Sequence, residues 1–360
     1  MTISKKWLFG ILIVIALLFA AFQLFKVQLG ETLYSRVFEA ALKRNTIAQL
    51  DDGLHVALCG TGSPLPDPTR KGPCTVVIAG KQQFLIDSGS GSGRNLGPMG
   101  ITAGNLDAAF LTHFHSDHID GLGQIVMQHW AGAGSETPLP VYGPTGVSQV
   151  IEGINKAYDL DEKYRIAHHG ADMMPAAGNG AVPKMFEFAE GQTSAVVYEK
   201  DGVKVTAFAV NHEPIDPAVG YRFDYKGRSV VLSGDTSKSS NLITNAKGAD
   251  LLVHEVLNKE IVTNMQGLAE KAGRKRTAKI FFDIRNYHTS PVEAAETAKE
   301  AGVHTLVFSH IVPAVPTRTL YPYYLKGTED AFDGDIIMGE DGMLFSLPAG
   351  SKETVQSALM

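Results

Sequence analysis

The chain has 360 residues, 44% of them hydrophobic, and a formal net charge of -6. That is enough apolar material for one large core or two modest ones. It leaves no global basic excess of the kind that marks a nucleic-acid binder, although a local patch would suffice. The two cysteines, Cys59 and Cys74, are too few for a zinc ribbon.

Lys5-Lys6 precede Trp7 to Phe25, an uncharged run of 19 residues. A helix rises about 1.5 Å per residue, so the run nearly spans a bilayer core. Ala20-Ala21 is followed by Phe22 and Gln23, which is no small-x-small cleavage site. Residues 1–28 therefore read as an uncleaved membrane anchor, with a secreted protein after signal cleavage as the alternative. Lys5 and Lys6 would keep the N-terminus in the cytoplasm and the rest in the periplasm or outside, against the contrary pull of Lys26 and Arg36. Glu31 to Leu50 carries a helical apolar pattern, and 29–50 read as a helical linker.

The globular domain is expected over 51–350, with 351–360 as a tail. Leu54 to Leu58 reads as a strand that breaks at Gly60-Thr61-Gly62. Thr75 to Ile78 and Phe84 to Ile86 form a hairpin. Cys59 and Cys74 end one strand and begin the next, so pairing is open. Buried free thiols are the favoured expectation, because cysteine is often a plain core residue. Asp87 to Gly93 is glycine-rich but lacks the Lys-Ser/Thr ending of a P-loop, and reads as a tight turn. Residues 158–190 read as an irregular insertion, a lid over the site. His168 and His169 lie in it, and adjacent histidines point apart in an extended chain. Further hairpins turn at Asp201-Gly202 and Lys226-Gly227. Asp335 to Leu347 reads as two short strands.

Functional chemistry concentrates in His113-Phe114-His115-Ser116-Asp117-His118, on the turn leaving the apolar run Leu106 to Leu111. Neutral imidazole is the commonest zinc ligand, and carboxylate the usual oxygen ligand beside it. His113 and His115 point the same way in an extended segment and can hold one ion; Asp117 and His118 can serve a second. Other apolar strands end at Asn211-His212, Gly234-Asp235, His254-Glu255 and Ser309-His310. Strand ends that deliver His or Asp together are best explained by one shared site. Ser290-Pro291-Val292-Glu293 is a helix start with a capping box, and His288 lies just before it.

His113 to His118 resembles the HxHxDH signature of the metallo-β-lactamase superfamily. The wider pattern is similar to its ribonuclease Z branch, which arylsulfatases and cyclic-nucleotide phosphodiesterases share. It comprises Gly60 to Ser63, Asn211-His212, Gly220 to Phe223, Ser233 to Thr236, His254-Glu255, His288 to Ser290 and Ser309-His310, and covers roughly 54–347. The resemblance implies an α+β, four-layer αβ/βα sandwich. It implies two zinc ions, or other divalent metals in the same sites. His113, His115 and His212 would hold the first, Asp117, His118 and His310 the second, and Asp235 would bridge. Asp117 would orient a metal-activated water, and Glu255 with His288 would assist the leaving group. His254 would be a support. Family members that mature transfer RNA carry an extended arm after the Gly-Tyr-Arg-Phe segment, whereas here Gly220 to Arg228 runs straight into the next strand. Transfer RNA is therefore not the expected substrate. The expectation is a small anionic phosphodiester, with an aryl sulfate ester or a non-catalytic metal-binding module as alternatives. A homodimer is left open.

Overall fold

A computed structural model describes residues 5–360, so the first four residues assigned to the anchor lie outside the described residues. The chain divides into two units, Met1–Asn45 and Thr46–Met360. The first is helix α1, Lys5–Lys43, with no buried residue. It is continuous across residue 28, where anchor and linker meet in the sequence reading, and carries Gly30 within it. By length and composition α1 is long and apolar enough to cross a membrane.

The second unit is two sheets with helices outside. In chain order its strands are β1 (Gly53–Gly60), β2 (Cys74–Ala79), β3 (Gln82–Ile86), β4 (Ala108–Phe110), β5 (Leu139–Gly143), β6 (Ala181–Met185), β7 (Ser194–Lys200) and β8 (Val203–Ala209). They continue with β9 (Val219–Tyr225), β10 (Arg228–Leu232), β11 (Leu251–Leu257), β12 (Thr305–Val312), β13 (Asp335–Met338), β14 (Met343–Pro348) and β15 (Val355–Ala358). The longer helices are α2 (Leu122–Ala133), α3 (Val147–His169), α4 (Ser240–Ala246), α5 (Lys259–Lys271), α6 (Lys275–Asp283) and α7 (Pro291–Ala301). One sheet has the order β15-β14-β1-β2-β3-β4-β5-β6, the other β13-β12-β11-β10-β9-β8-β7.

Strand alternation builds the layers. Leu54, Val56 and Leu58 of β1 face the other sheet, where Val205, Tyr221, Phe223 and Val230 meet them. Ala57 and Cys59 face outward onto Leu122, Ile125 and Val147 of the helices. On the far side Val231, Leu252 and Leu306 pack under Leu242, Ala294 and Ala298. Both faces of each central strand are buried, which explains runs that are apolar throughout rather than alternating. β3 to β6 run parallel, as do β10 to β13. Parallel strands open their carboxyl ends at one edge, where ligand sites of α/β sheets form.

Four expectations need correction. Residues 158–190 are not irregular throughout, because α3 runs on to His169. Residues 156–169 contain no Gly or Pro, and Lys156–Asp159 and Arg165–Asp161 pair along the helix, both at 2.6 Å. The segment ends in β6, an edge strand parallel to β5. Residues 351–360 are not a plain tail, since β15 pairs antiparallel with β14. Cys59 and Cys74 are not free thiols: β1 and β2 are antiparallel neighbours, the two Cα atoms lie 5.0 Å apart, and the sulfurs are bonded. Finally, β11 and β12 do not stop at His254-Glu255 and Ser309-His310 but run through them.

The two short strands read near the C-terminus are present, yet they belong to different sheets. The turn between them carries Asp341, whose carboxylate accepts from Thr61 N and Oγ1, both at 2.9 Å, Lys71 N at 2.8 Å and Asn95 Nδ2 at 2.9 Å. Thr61 O in turn accepts from Ile311 N at 3.0 Å, beside His310. Asp341→Ala strands these donors and should cost about 2–4 kcal/mol. Urea unfolding should show a lower midpoint at an unchanged slope. An unchanged midpoint would show that the carboxylate holds nothing.

Candidate metal centre

The ligand loop is clamped before it begins. Thr112 donates from its N–H and its hydroxyl to Asp87, at 2.9 and 2.8 Å. Tyr221 Oη donates to Leu111 O at 2.6 Å, and Val219 N to Thr112 O at 3.0 Å. Both sheets thus fix the residues that precede His113. The chain then bends into a short helical turn, Ser116–Ile119. His113 and His118 are buried, Asp117 less so.

Three other elements bring the remaining groups. His212 follows β8 and is held by a bridge to Ile215. Its Nδ1 lies 3.1 Å from Tyr287 O; a carbonyl only accepts, so Nδ1 carries the proton and Nε2 is bare. Asp235 follows Gly234, whose φ of 61 suits glycine, and a Cβ there would meet Val219 O at 2.5 Å. His310 is the extra residue of a β-bulge. Glu255 opposes Ser309 and Val256 opposes Ile311, with His310 between them at φ 46. A bulge re-aims a side chain, and a non-glycine residue at positive φ stores strain that its surroundings must hold.

These atoms converge. His113 Nε2 lies 3.0 Å from His115 Nδ1, which lies 3.4 Å from His212 Nε2. Asp117 Oδ2 lies 3.2 Å from His310 Nε2 and 3.5 Å from His118 Nε2. Asp235 Oδ2 reaches both sets: 3.9 and 4.0 Å to His113 and His212 Nε2, 3.4 and 3.5 Å to His118 and His310 Nε2. Tetrahedral zinc with bonds of about 2.0–2.1 Å would hold its ligand atoms roughly 3.4 Å apart. The residues fit: His118 Nε2 and Asp235 Oδ1 are buried with no hydrogen-bond partner, as donors awaiting a cation are.

Electrostatics agree with a cation site. Burial, helped by neighbouring imidazoles, pushes His113 well below the usual histidine range, and burial likewise lowers His115 and His212. That favours the neutral form that ligates. Burial also opposes charge on His118 and His310. There, however, carboxylates win: Asp235 and Asp87 raise His118, and Asp235 and Asp117 raise His310. Burial would raise Asp235, but His310 and His118 hold it well below the carboxylate range. Negative charge here calls for positive charge.

Asp87 was read only as part of a turn, and it is the residue that the sequence reading missed. Its Oδ2 lies 2.8 Å from His118 Nδ1 and so orients that ring, as carboxylates do for metal-bound histidines. Glu255 Oε1 accepts from Thr289 N at 2.8 Å and Thr236 N at 3.3 Å, and Oε2 stands 3.2 Å from His288 Nδ1. His288 stacks on His310, 5.6 Å between ring centroids. It can also join Asp235 and His310 around one ion. The capping box of α7 is formed: Ser290 and Glu293 exchange both bonds, which pins the loop that bears His288. His254 is fully buried with Nδ1 2.6 Å from Glu255 O, a support as expected. His168 and His169 are exposed at the end of α3.

A family profile described as a beta-lactamase superfamily domain matches residues 82–311. The chain is 42% identical over 291 residues to a ribonuclease Z of Mycobacterium bovis, covering 80% of this chain and 96% of the relative. It is 39% identical over 299 residues to a ribonuclease Z of Mycobacterium marinum, with coverage of 80% and 96%. In fold it is similar to the human short-form tRNase Z, with a TM-score of 0.57 at 23% identity over 82% of this chain and 99% of that one. It is also similar to the metallo-beta-lactamase fold protein YhfI of Bacillus subtilis, with a TM-score of 0.58 at 19% identity over 82% and 100%. The chain belongs to the beta-lactamase superfamily, among its ribonuclease Z members, and is a metal-dependent hydrolase of ester bonds.

Proposed function

We propose that the protein is a dinuclear zinc hydrolase of phosphodiester bonds, anchored by α1 with its catalytic domain outside the cytoplasm. The observation that carries the reading is Asp235 Oδ2, which stands within 4.0 Å of one ligand nitrogen pair and 3.5 Å of the other. His113, His115 and His212 would hold one ion, Asp117, His118 and His310 the other, and Asp235 both. Bound ions would supply Lewis acidity and a more acidic water. Asp117 is placed to orient that water or accept its proton. Glu255 holds His288 so that its free nitrogen can give a proton to the departing oxygen.

Two features support a substrate other than transfer RNA. The β9–β10 hairpin turns tightly at Lys226 and Gly227, which favours the reading that no gripping arm is inserted after the Gly-Tyr-Arg-Phe segment. The Cys59–Cys74 disulfide and α1 suit an oxidising compartment across a membrane, away from RNA maturation. Paired assays on aryl phosphodiester, phosphomonoester, aryl sulfate and precursor transfer RNA test the reading. Diester hydrolysis should dominate; faster turnover of the sulfate or of precursor transfer RNA would replace it. A C-terminal reporter active only outside the cytoplasm should be active, and activity of a cytoplasm-only reporter would reverse the topology.

A further inference from the structure

A cavity of about 560 Å³ is lined by none of the metal-centre residues. Ile261 and Met265 of α5, Phe281 of α6, Val315, Leu320 and Tyr323 form its main walls, and none of its lining residues carries a charge. Drug-sized ligands occupy roughly 300–1,000 Å³ in proteins, and such sites usually add a few convergent polar groups. Here those groups are taken: Tyr324 Oη donates to Val312 O at 2.7 Å, and Tyr323 Oη lies at the rim, 3.5 Å from Glu260. Leu320 and Tyr323 are 42% and 43% exposed, so the groove is open at that side.

The walls carry no charge, but the helices α5 and α6 that supply part of them do. Residues 259–286 contain seven Lys or Arg against three Asp or Glu, in a chain whose net charge is -6. Lys259 is paired with Glu293 and Lys279 with Asp283, while Lys271, Arg274, Lys275 and Arg276 are exposed around the α5–α6 turn. On α6 the period of 3.6 separates the faces. Thr277 and Phe281 point into the groove. Lys279 and Asp283 line a cleft on the other side, of about 550 Å³, together with His115 and His212. Ile280 and Phe282 are 53% and 48% exposed among these cations.

An uncharged, largely apolar groove whose lining residue Thr277 directly follows the exposed Lys275 and Arg276 is complementary to one chemistry. We propose that it binds the aliphatic tail of an anionic membrane lipid, whose head meets Lys275 and Arg276. Single-stranded RNA would also answer the cations, but it needs flat stacking surfaces. Phe281, Tyr323 and Tyr324 are the aromatic rings of the lining, and Leu65, Ile261, Met265, Val315 and Leu320 outnumber them with branched or flexible aliphatic contacts that suit an acyl chain better than a base. Exposed apolar side chains interleaved with Lys and Arg are the signature of an interfacial lipid site. This site is separate from the hydrolytic reading and stands without it.

The test uses the full chain in mixed micelles with a phosphatidylglycerol that bears a diazirine at the end of one acyl chain. After illumination, peptide mapping should find label in α5, α6 and residues 313–324, besides α1. Met265→Trp should lower groove labelling roughly tenfold, the effect of displacing about two methylenes of contact, while α1 labelling stays constant. Lys275→Glu with Arg276→Glu should lower it several-fold, and the same probe with a phosphatidylcholine head should label less. An unchanged urea-unfolding midpoint of the variants would show that they are folded. Label confined to α1, or groove label indifferent to Met265→Trp, would overturn the proposal. Equal labelling by both head groups would overturn its charge component. Groove protection that rises with protein concentration without lipid would assign the groove to a second copy and also overturn it.

Discussion

Asp235→Ala should deplete metal from both ligand sets at once. Its Oδ2 is the atom that faces His113 and His212 on one side and His118 and His310 on the other. Residues that merely orient a metal ligand are worth about 10–100-fold in affinity, and loss of a shared ligand should exceed that. Elemental analysis of the purified variant should show the metal content of both sites reduced, with diester hydrolysis close to background. His115→Ala makes the comparison, because His115 belongs to one set and is half-exposed. It should impair one site and spare the other. Wild-type metal content in Asp235→Ala would refute the shared carboxylate. Removing metal from the wild type with a chelator should reproduce the activity loss, and added zinc should restore it.

His288→Ala should separate substrates by their leaving groups. Expelling an alkoxide near neutral pH benefits from a proton donor, an effect typically worth about 10²–10⁴-fold. A nitrophenolate leaves with little help. Alkyl and nucleotide diesters should therefore slow sharply, and nitrophenyl esters much less, with metal content intact. Glu255→Gln should follow the same pattern more weakly if the proposed role of Glu255 is to orient the His288 ring, whose Nδ1 lies 3.2 Å from its Oε2. Equal losses on both substrate types would remove the donor role. Loss of metal would make His288 a ligand, as its place near Asp235 and His310 permits.

The residues that converge on Asp235 stood out in the sequence because most are local signals, an imidazole or carboxylate at or just beyond an apolar strand. The layered fold followed from the same strands. What escaped depends on partners distant in sequence. Asp87 is one residue past β3 and looks like a turn former, and its work shows only when His118, 31 positions on, closes on it. His310 reads as a strand end because a bulge leaves no mark in the residue types around it. Cys59 and Cys74 could be paired only once β1 and β2 were known to be antiparallel neighbours. The α3 extension was different: Lys156, Asp159, Asp161 and Arg165 already stood at helical spacing, and the Gly- and Pro-rich residues after 169 masked them. The strand β15 is short and wholly exposed, so it lacks the apolar alternation that betrays a buried strand.

The disulfide also bears on quality control in the cell. It closes a loop with a sequence separation of 15, and a cross-link of that span is worth about 3 kcal/mol. Whole domains are stable by only about 5–15 kcal/mol. A molecule stranded in a reducing compartment would therefore unfold far more often than one that reached an oxidising side. Housekeeping proteases would clear the stranded copy first. The bond between Cys59 and Cys74 would thus tie the lifetime of the folded chain to the redox state of its surroundings.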